Sequence, residues 1–152
     1  MQVLFRVAHW VSNGNRKIVK TIRQLAETEE NYRVIIREID RVEAALGRAR
    51  TLGAEARLTL VEWLVTLEDF GWQCAYCQSK PFQVMIHVVP LPKGGTVPEN
   101  CLPTCYACVR YRKKEYMQVR VQGYLASRKY ENGSTRTHGG VSHIPQFQED
   151  KK

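Results

Sequence analysis

Long apolar runs are missing from this 152-residue chain, and no stretch approaches the roughly 18 consecutive apolar residues that a membrane span requires. The opening "MQVLFRVAHWVSNGN" is short, apolar and basic only at Arg6. It has neither a charged start nor a small-residue cleavage site, so it does not read as a signal peptide. The expected location is cytoplasmic, with no membrane partner. Internal repeats are also missing. The length suits one ordinary domain, or a small module carrying a helical extension.

Charge is scarce only in the middle of the chain. Residues 58–108 carry 2 Lys/Arg and 4 Asp/Glu, whereas residues 1–57 carry 11 and 7 and residues 109–152 carry 10 and 4. The net charge of +8 is therefore concentrated in the flanks. Such a distribution suits a polyanion partner, most simply nucleic acid held through its phosphates. A basic protein with solvated charge accounts for it as well.

Cysteine is sparse but organised. Of the five, Cys74/Cys77 and Cys105/Cys108 form the CxxC pairs "CAYC" and "CYAC", with 27 residues between them. In a reducing cytosol such pairs point to one tetrahedral metal site rather than to disulfides. Structural zinc fits best, because thiolates are soft ligands and each tight turn can present two sulfurs to one ion. The fifth, Cys101, is expected to be a buried, inert thiol.

Apolar periodicity marks a helical region from residue 16 to about 47, through Ile18, Ile22, Leu25, Tyr32, Ile36, Ile39 and Leu46. Asn13 or Asn15 can cap its start and Gly47 suits its end. It reads as one long helix or as two broken near "ETEEN". Its role is either a coiled-coil-like arm for a homodimer or protein partner, or an intramolecular hairpin packed on residues 3–11. "RTLGAEAR" (50–57) reads as a linker. A second helix is expected in "LTLVEWLVTLEDFGW", with Thr59 and Glu62 as a capping box and Gly71 at its end. "FQVMIHVVPL" is β-rich, "PKGGTVPEN" is turn-rich, and "VRYRKKEYMQVR" suggests a basic helix. Trp63, Phe70 and Trp72 are expected in the core, and Tyr106, Tyr111 and Tyr116 are expected to pack rather than stack on a partner. The tail 132–152 is polar and Gly/Ser-rich, and is expected to be flexible unless a partner orders it.

From Thr59 to Lys114 the order is helix, "CAYC" (74–77), "HVVPLPKGGTVPENC" (87–101) and "CYACVRYRKK" (105–114). This resembles the HNH endonuclease family in its zinc-ribbon form. The expected class is α+β: the resemblance implies a zinc-stabilised ββα-metal module, taken as 58–131, and leaves uncovered the helical arm and linker at 1–57 and the tail at 132–152. It implies His87 as general base on the attacking water, Asn100 as the residue that pins the intervening loop, and zinc on Cys74, Cys77, Cys105 and Cys108, away from the chemistry. It also implies a catalytic divalent cation (Mg, Mn or Ni) and a basic helix that grips phosphates through Arg110, Arg112, Lys113, Lys114 and Arg120.

The chain departs from that family where the cation should bind. Ile86 stands where an acidic residue or His normally precedes the base, and Val109 where His or Asn normally follows the last knuckle cysteine. Lys113 stands where some relatives place a further His. Neither Ile nor Val has a lone pair for a cation. Substitute ligands would have to be His138 and His143 of the tail, Glu99 or Asp69. The expectation is an HNH-like protein that binds DNA, double-stranded by resemblance, or a nucleoprotein complex, with lost or weak cleavage. An accessory or regulatory subunit in a phage, mobile-element or defence system is the context the resemblance implies. The rivals are an active metal-dependent endonuclease, and an interaction module acting through the 16–47 helix.

Overall fold

The computed structural model describes residues 2–13, 19–111 and 115–131. Helices α1 (Gln2–Ser12), α2 (Val19–Ala26), α3 (Glu29–Thr51) and α4 (Leu60–Asp69) come first. Strands β1 (Val84–His87) and β2 (Cys101–Thr104) follow, then α5 (Tyr106–Tyr111) and α6 (Glu115–Glu131). The class is α+β, helix-rich at the N-terminal side with one small sheet. Among the described residues no helix is long and apolar enough to cross a membrane.

The periodic region is two helices. Glu27 turns into the left-handed region at φ 68°, and Thr28 then caps α3 by accepting from the Asn31 backbone NH at 3.1 Å. The Asn31 side chain donates back to the Ala26 carbonyl, one of the acceptors that the end of α2 leaves over. The second helix runs through Gly47 and stops at Gly53 instead. Gly53, at φ +69°, is followed by Ala54 NH donating to Ala49 O at 2.8 Å, the wrap that a left-handed residue closes at a helix end. Gly47 does not end the helix because the buried Ala49 beyond it draws the next turn into the core.

Helices α1, α2 and α3 pack on one another, and the stripe is used inside the chain. Ile22, Ile35, Ile39 and Val42 share a core with Leu4 and Val7 of α1 and with Trp63, Leu64 and Leu67 of α4. This is the intramolecular hairpin arrangement. Within it Glu38, 2 % exposed, accepts from Trp63 Nε1 at 2.8 Å and from Arg41 Nε at 2.9 Å. The α4 cap is reciprocal, as the sequence suggests: Thr59 Oγ1 accepts from Glu62 NH, and the Glu62 carboxylate accepts from Thr59 NH.

The 50–57 segment is not a loose linker. Arg57 and Leu58 NH both donate to Thr96 O, and Thr96 NH donates to Glu55 O at 2.8 Å. Arg50 and Thr51 finish α3, residues 55–58 run as a strap along the turn-rich loop, and the first core continues across it to Leu58 and Cys101.

Strands β1 and β2 are antiparallel, with Ile86 opposite Leu102 and His87 opposite Cys101. Alternation sends Met85 toward the helical core and Ile86 toward a second core around the cysteines. The expected basic helix is described as α5 up to Tyr111 and α6 from Glu115, and residues 112–114 lie outside the described residues. Helix α6 docks on α4: Tyr124 packs edge-on against Phe70 and donates to Asp69 at 2.8 Å, and the buried Arg128 donates to Glu62 O and Thr66 Oγ1.

Candidate metal centre and the His87 loop

The four knuckle cysteines converge. Their Sγ atoms all lie within 4.8 Å of one another, with Cys77 and Cys105 at 3.9 Å. Zinc–thiolate bonds of about 2.3 Å in a tetrahedron place sulfurs roughly 3.8 Å apart, so the set fits one zinc ion. The first knuckle is a tight reversal in which Gln78 sits at φ 51° and donates to Cys74 O, while Cys74 NH donates to Lys80 O. The second starts where β2 ends, and Cys108 lies one turn into α5. Ala75 NH donates to Pro103 O and ties the two knuckles together.

The thiols are tuned unequally. Burial pushes Cys74 and Cys108 up. Burial also acts against the Cys77 thiolate, but hydrogen bonds from the Ser79 side chain and the Ser79 and Lys80 backbone outweigh it and bring Cys77 down to about 6. Four thiolates in this space require a cation to neutralise them, which is the chemistry of a structural metal. Cys101 is apart from the set, fully buried, and pushed up to about 12 by burial.

His87 faces the other side of β1. Its Nε2 lies 2.8 Å from Thr96 Oγ1, and that hydroxyl donates to Ala45 O of α3 at 3.0 Å. A hydroxyl has one proton, so Thr96 accepts from His87, Nε2 carries the proton and Nδ1 keeps its lone pair. Burial, and then the Arg48 charge, hold the imidazole below its usual range, so it is neutral at pH 7. Sequence reasoning did not single out Thr96 or Arg48. The available signal was a hydroxyl between the Gly-Gly pair and Asn100.

Asn100 closes the loop behind His87. Its Oδ1 accepts from Val89 NH at 2.8 Å, and its Nδ2 donates to Val89 O and Gly95 O, both at 2.9 Å. The Gly-Gly pair makes this possible. A Cβ on Gly94 would collide with Val89 O and lie 2.6 Å from Asn100 Nδ2, and one on Gly95 would lie 2.7 Å from Glu55 O.

The two positions that departed from the family pattern are apolar in space as well as in sequence. Ile86 is 7 % exposed in the second core, and Val109 packs against that core. Among the described residues, the one group of three or more His, Cys, Asp or Glu side chains close enough to share an ion is the four-cysteine set. Glu99 pairs with Arg57 and Asp69 accepts from Tyr124. His138 and His143 lie outside the described residues, as does the whole 132–152 tail.

Two of the five expected phosphate contacts are among the described residues. Arg110 is exposed on α5, Arg120 is exposed on α6 and donates to Gln78, and Arg112, Lys113 and Lys114 lie outside the described residues. Trp63 and Phe70 are buried and Trp72 half-buried, as expected. Tyr106 is different: it was expected to pack, yet it is 61 % exposed, because its place at the start of α5 turns it away from the cysteine core. The side chains of Tyr111 and Tyr116 lie outside the description. Comparisons with protein-family models, with curated proteins and with solved structures find no match to this chain.

Proposed function

We propose that this chain is a zinc-stabilised, HNH-like ββα-metal module that binds nucleic acid, alone or in a nucleoprotein complex, and has lost efficient cleavage. One observation carries the reading. Asn100 clasps the loop behind a neutral His87, while the neighbouring Ile86 is buried in apolar surroundings. On this reading the clasped loop supports His87 as a former base, and the buried Ile86 fills with hydrocarbon the adjoining position where a cation would sit.

Phosphodiester hydrolysis needs more than a base. A divalent cation would supply stabilisation of the developing charge and of the leaving oxygen. Such electrostatic stabilisation is usually the largest catalytic contribution. His87 could accept a proton at Nδ1, but its Nε2–H is committed to Thr96. The four cysteines hold the fold on the opposite side of β1 and take no part in proton transfer. Arg110, Arg112, Lys113, Lys114 and Arg120 are the proposed phosphate contacts, each expected to add about 0.9 to the salt slope of duplex affinity.

The test is a plasmid and oligonucleotide cleavage assay with magnesium, manganese, nickel and zinc in turn, with His87→Ala alongside. The expected result is salt-dependent DNA binding without cleavage. Cleavage that His87→Ala abolishes would overturn the loss of activity, and absence of DNA binding at low salt would overturn the binding role.

A further inference from the structure

Between α1, α3 and the knuckle region lies a cleft of about 570 Å³ that the reading above leaves without a role. Its walls combine the cationic Arg37 and Arg41, the acidic Glu38 that pairs with Arg41, and the aromatic Trp72, Phe82 and Tyr106. The volume is in the range of small-ligand sites, roughly 300–1,000 Å³.

The two arginines are not equivalent. Arg41 is occupied: it pairs with the buried Glu38, donates to Gln83 O at 3.0 Å and lies 5.0 Å from the Phe82 ring centroid. Arg37, one turn earlier on the same face of α3, is exposed and has no ion-pair or hydrogen-bond partner among the described residues. Arg41 therefore builds the wall, and Arg37 offers a guanidinium to something outside the protein. Tyr106 is the only aromatic among the large apolar side chains that the described residues leave exposed. Trp72 reaches the cleft from a left-handed backbone at φ 61°, a conformation a bulky residue holds only under constraint.

An unpaired guanidinium beside an exposed aromatic ring, in a concave site, recognises a planar base with an attached phosphate. A duplex keeps its bases stacked inside and gives such a ring little to hold. Position supports the same partner. Arg48 lies on the same face of α3, about 16 Å beyond Arg37 at 1.5 Å per residue, close enough to His87 to act on its charge. Arg37 and Arg48, on either side of the Glu38-paired Arg41, thus place positive charge at both ends of one face of α3, from the cleft to the His87 loop.

We infer that this cleft is a binding site for a nucleotide unit of single-stranded nucleic acid, with the base against Tyr106 and Trp72 and the phosphate on Arg37. The inference rests on the nucleic-acid reading above and deepens it, placing the strand along α3 rather than on the α5–α6 face alone.

The test uses the full chain and a fluorescent 20-nucleotide oligo(dT), with a duplex of the same length as competitor, read by anisotropy over a salt series. Tyr106→Ala should weaken oligo(dT) binding about 5- to 150-fold, the range for one lost stacked base. Arg37→Ala should flatten the salt slope by about 0.7, the value for one single-strand phosphate. Both side chains are exposed, so unchanged unfolding midpoints should accompany the losses. Oligo(dT) binding that both variants retain in full would overturn the cleft and leave the nucleic-acid reading standing. So would binding of the duplex alone. Binding of neither nucleic acid by the unmodified chain would overturn both.

Discussion

The two cores of this protein are held together by different physics. The first, between α1 and α4, is hydrocarbon: Val7, Ile22, Ile35, Trp63, Leu64 and Leu67 are essentially fully buried. Its one polar centre, Glu38, is satisfied by Trp63 and Arg41. Among the described residues the second has Phe70, Tyr76, Ile86, Leu102, Val121 and Leu125 as its large buried apolar groups, and three of its buried residues are thiols. Burying a Leu- or Phe-sized side chain contributes about 1.5–3 kcal/mol, so the first core, with more such groups, draws more of its stability from apolar burial than the second. The difference teaches where a bound metal would contribute most: in the half with fewer large apolar groups, where burial pushes the Cys74 and Cys108 thiols up unless a cation neutralises them.

The comparison breaks most sharply on removing any metal that the four cysteines hold. Chelation, or Cys105→Ser, should unfold the second region outright, since binding energy in such modules is folding energy. The α1–α4 helices should survive. Far-ultraviolet circular dichroism would then retain most of its helical signal while hydrogen exchange opens β1, β2 and α5. Unfolding that chelator leaves unchanged would mean the four cysteines hold no ion.

Glu38→Ala is the matching test of the first core. It strands the Arg41 charge and the buried Trp63 NH, and should cost about 3–5 kcal/mol in denaturant unfolding, with the metal site unaffected. A cost below about 1 kcal/mol would show that this polar centre is replaceable.

The smallest expected effect sits where the halves meet. His87 is held below its unfolded value of 6.5 by burial and by Arg48, so the unfolded chain binds its proton first as pH falls. Its contribution to stability is present above pH 6.5 and is lost as pH falls through the lower folded value. The difference in unfolding midpoint between the unmodified chain and His87→Asn should shrink on going from pH 7.5 to pH 5. A constant difference would mean that the imidazole is not held neutral.

Some of this was legible in local residue order. The Thr59/Glu62 cap, the left-handed Gly71, the CxxC spacing and the strand around His87 each depend on neighbours a few positions away, and they appear where the order of residues puts them. The end of α3 was misplaced at Gly47 because a glycine signals a helix end only when its backbone turns left-handed, and Gly53 is the one that does. The segment 50–57 looked like a linker because the role of its second half comes from Thr96, about forty residues away, whose backbone it pairs with. Tyr106 was expected to pack because aromatics usually do, but the direction of a side chain at a helix start depends on what the helix docks against.

By itself, then, the amino-acid order determined the helical periodicity, the four-cysteine set and the apolar character of positions 86 and 109. Those are properties of spacing and side-chain chemistry. Tertiary structure alone decided that the apolar stripe of α2 and α3 closes on α1 and α4, that His87 is tied through Thr96 to Ala45, and that Arg37 and Tyr106 share a cleft. Each of these joins residues between 9 and 69 positions apart, and contacts at that separation depend on how helices and strands pack in space, which no local pattern encodes.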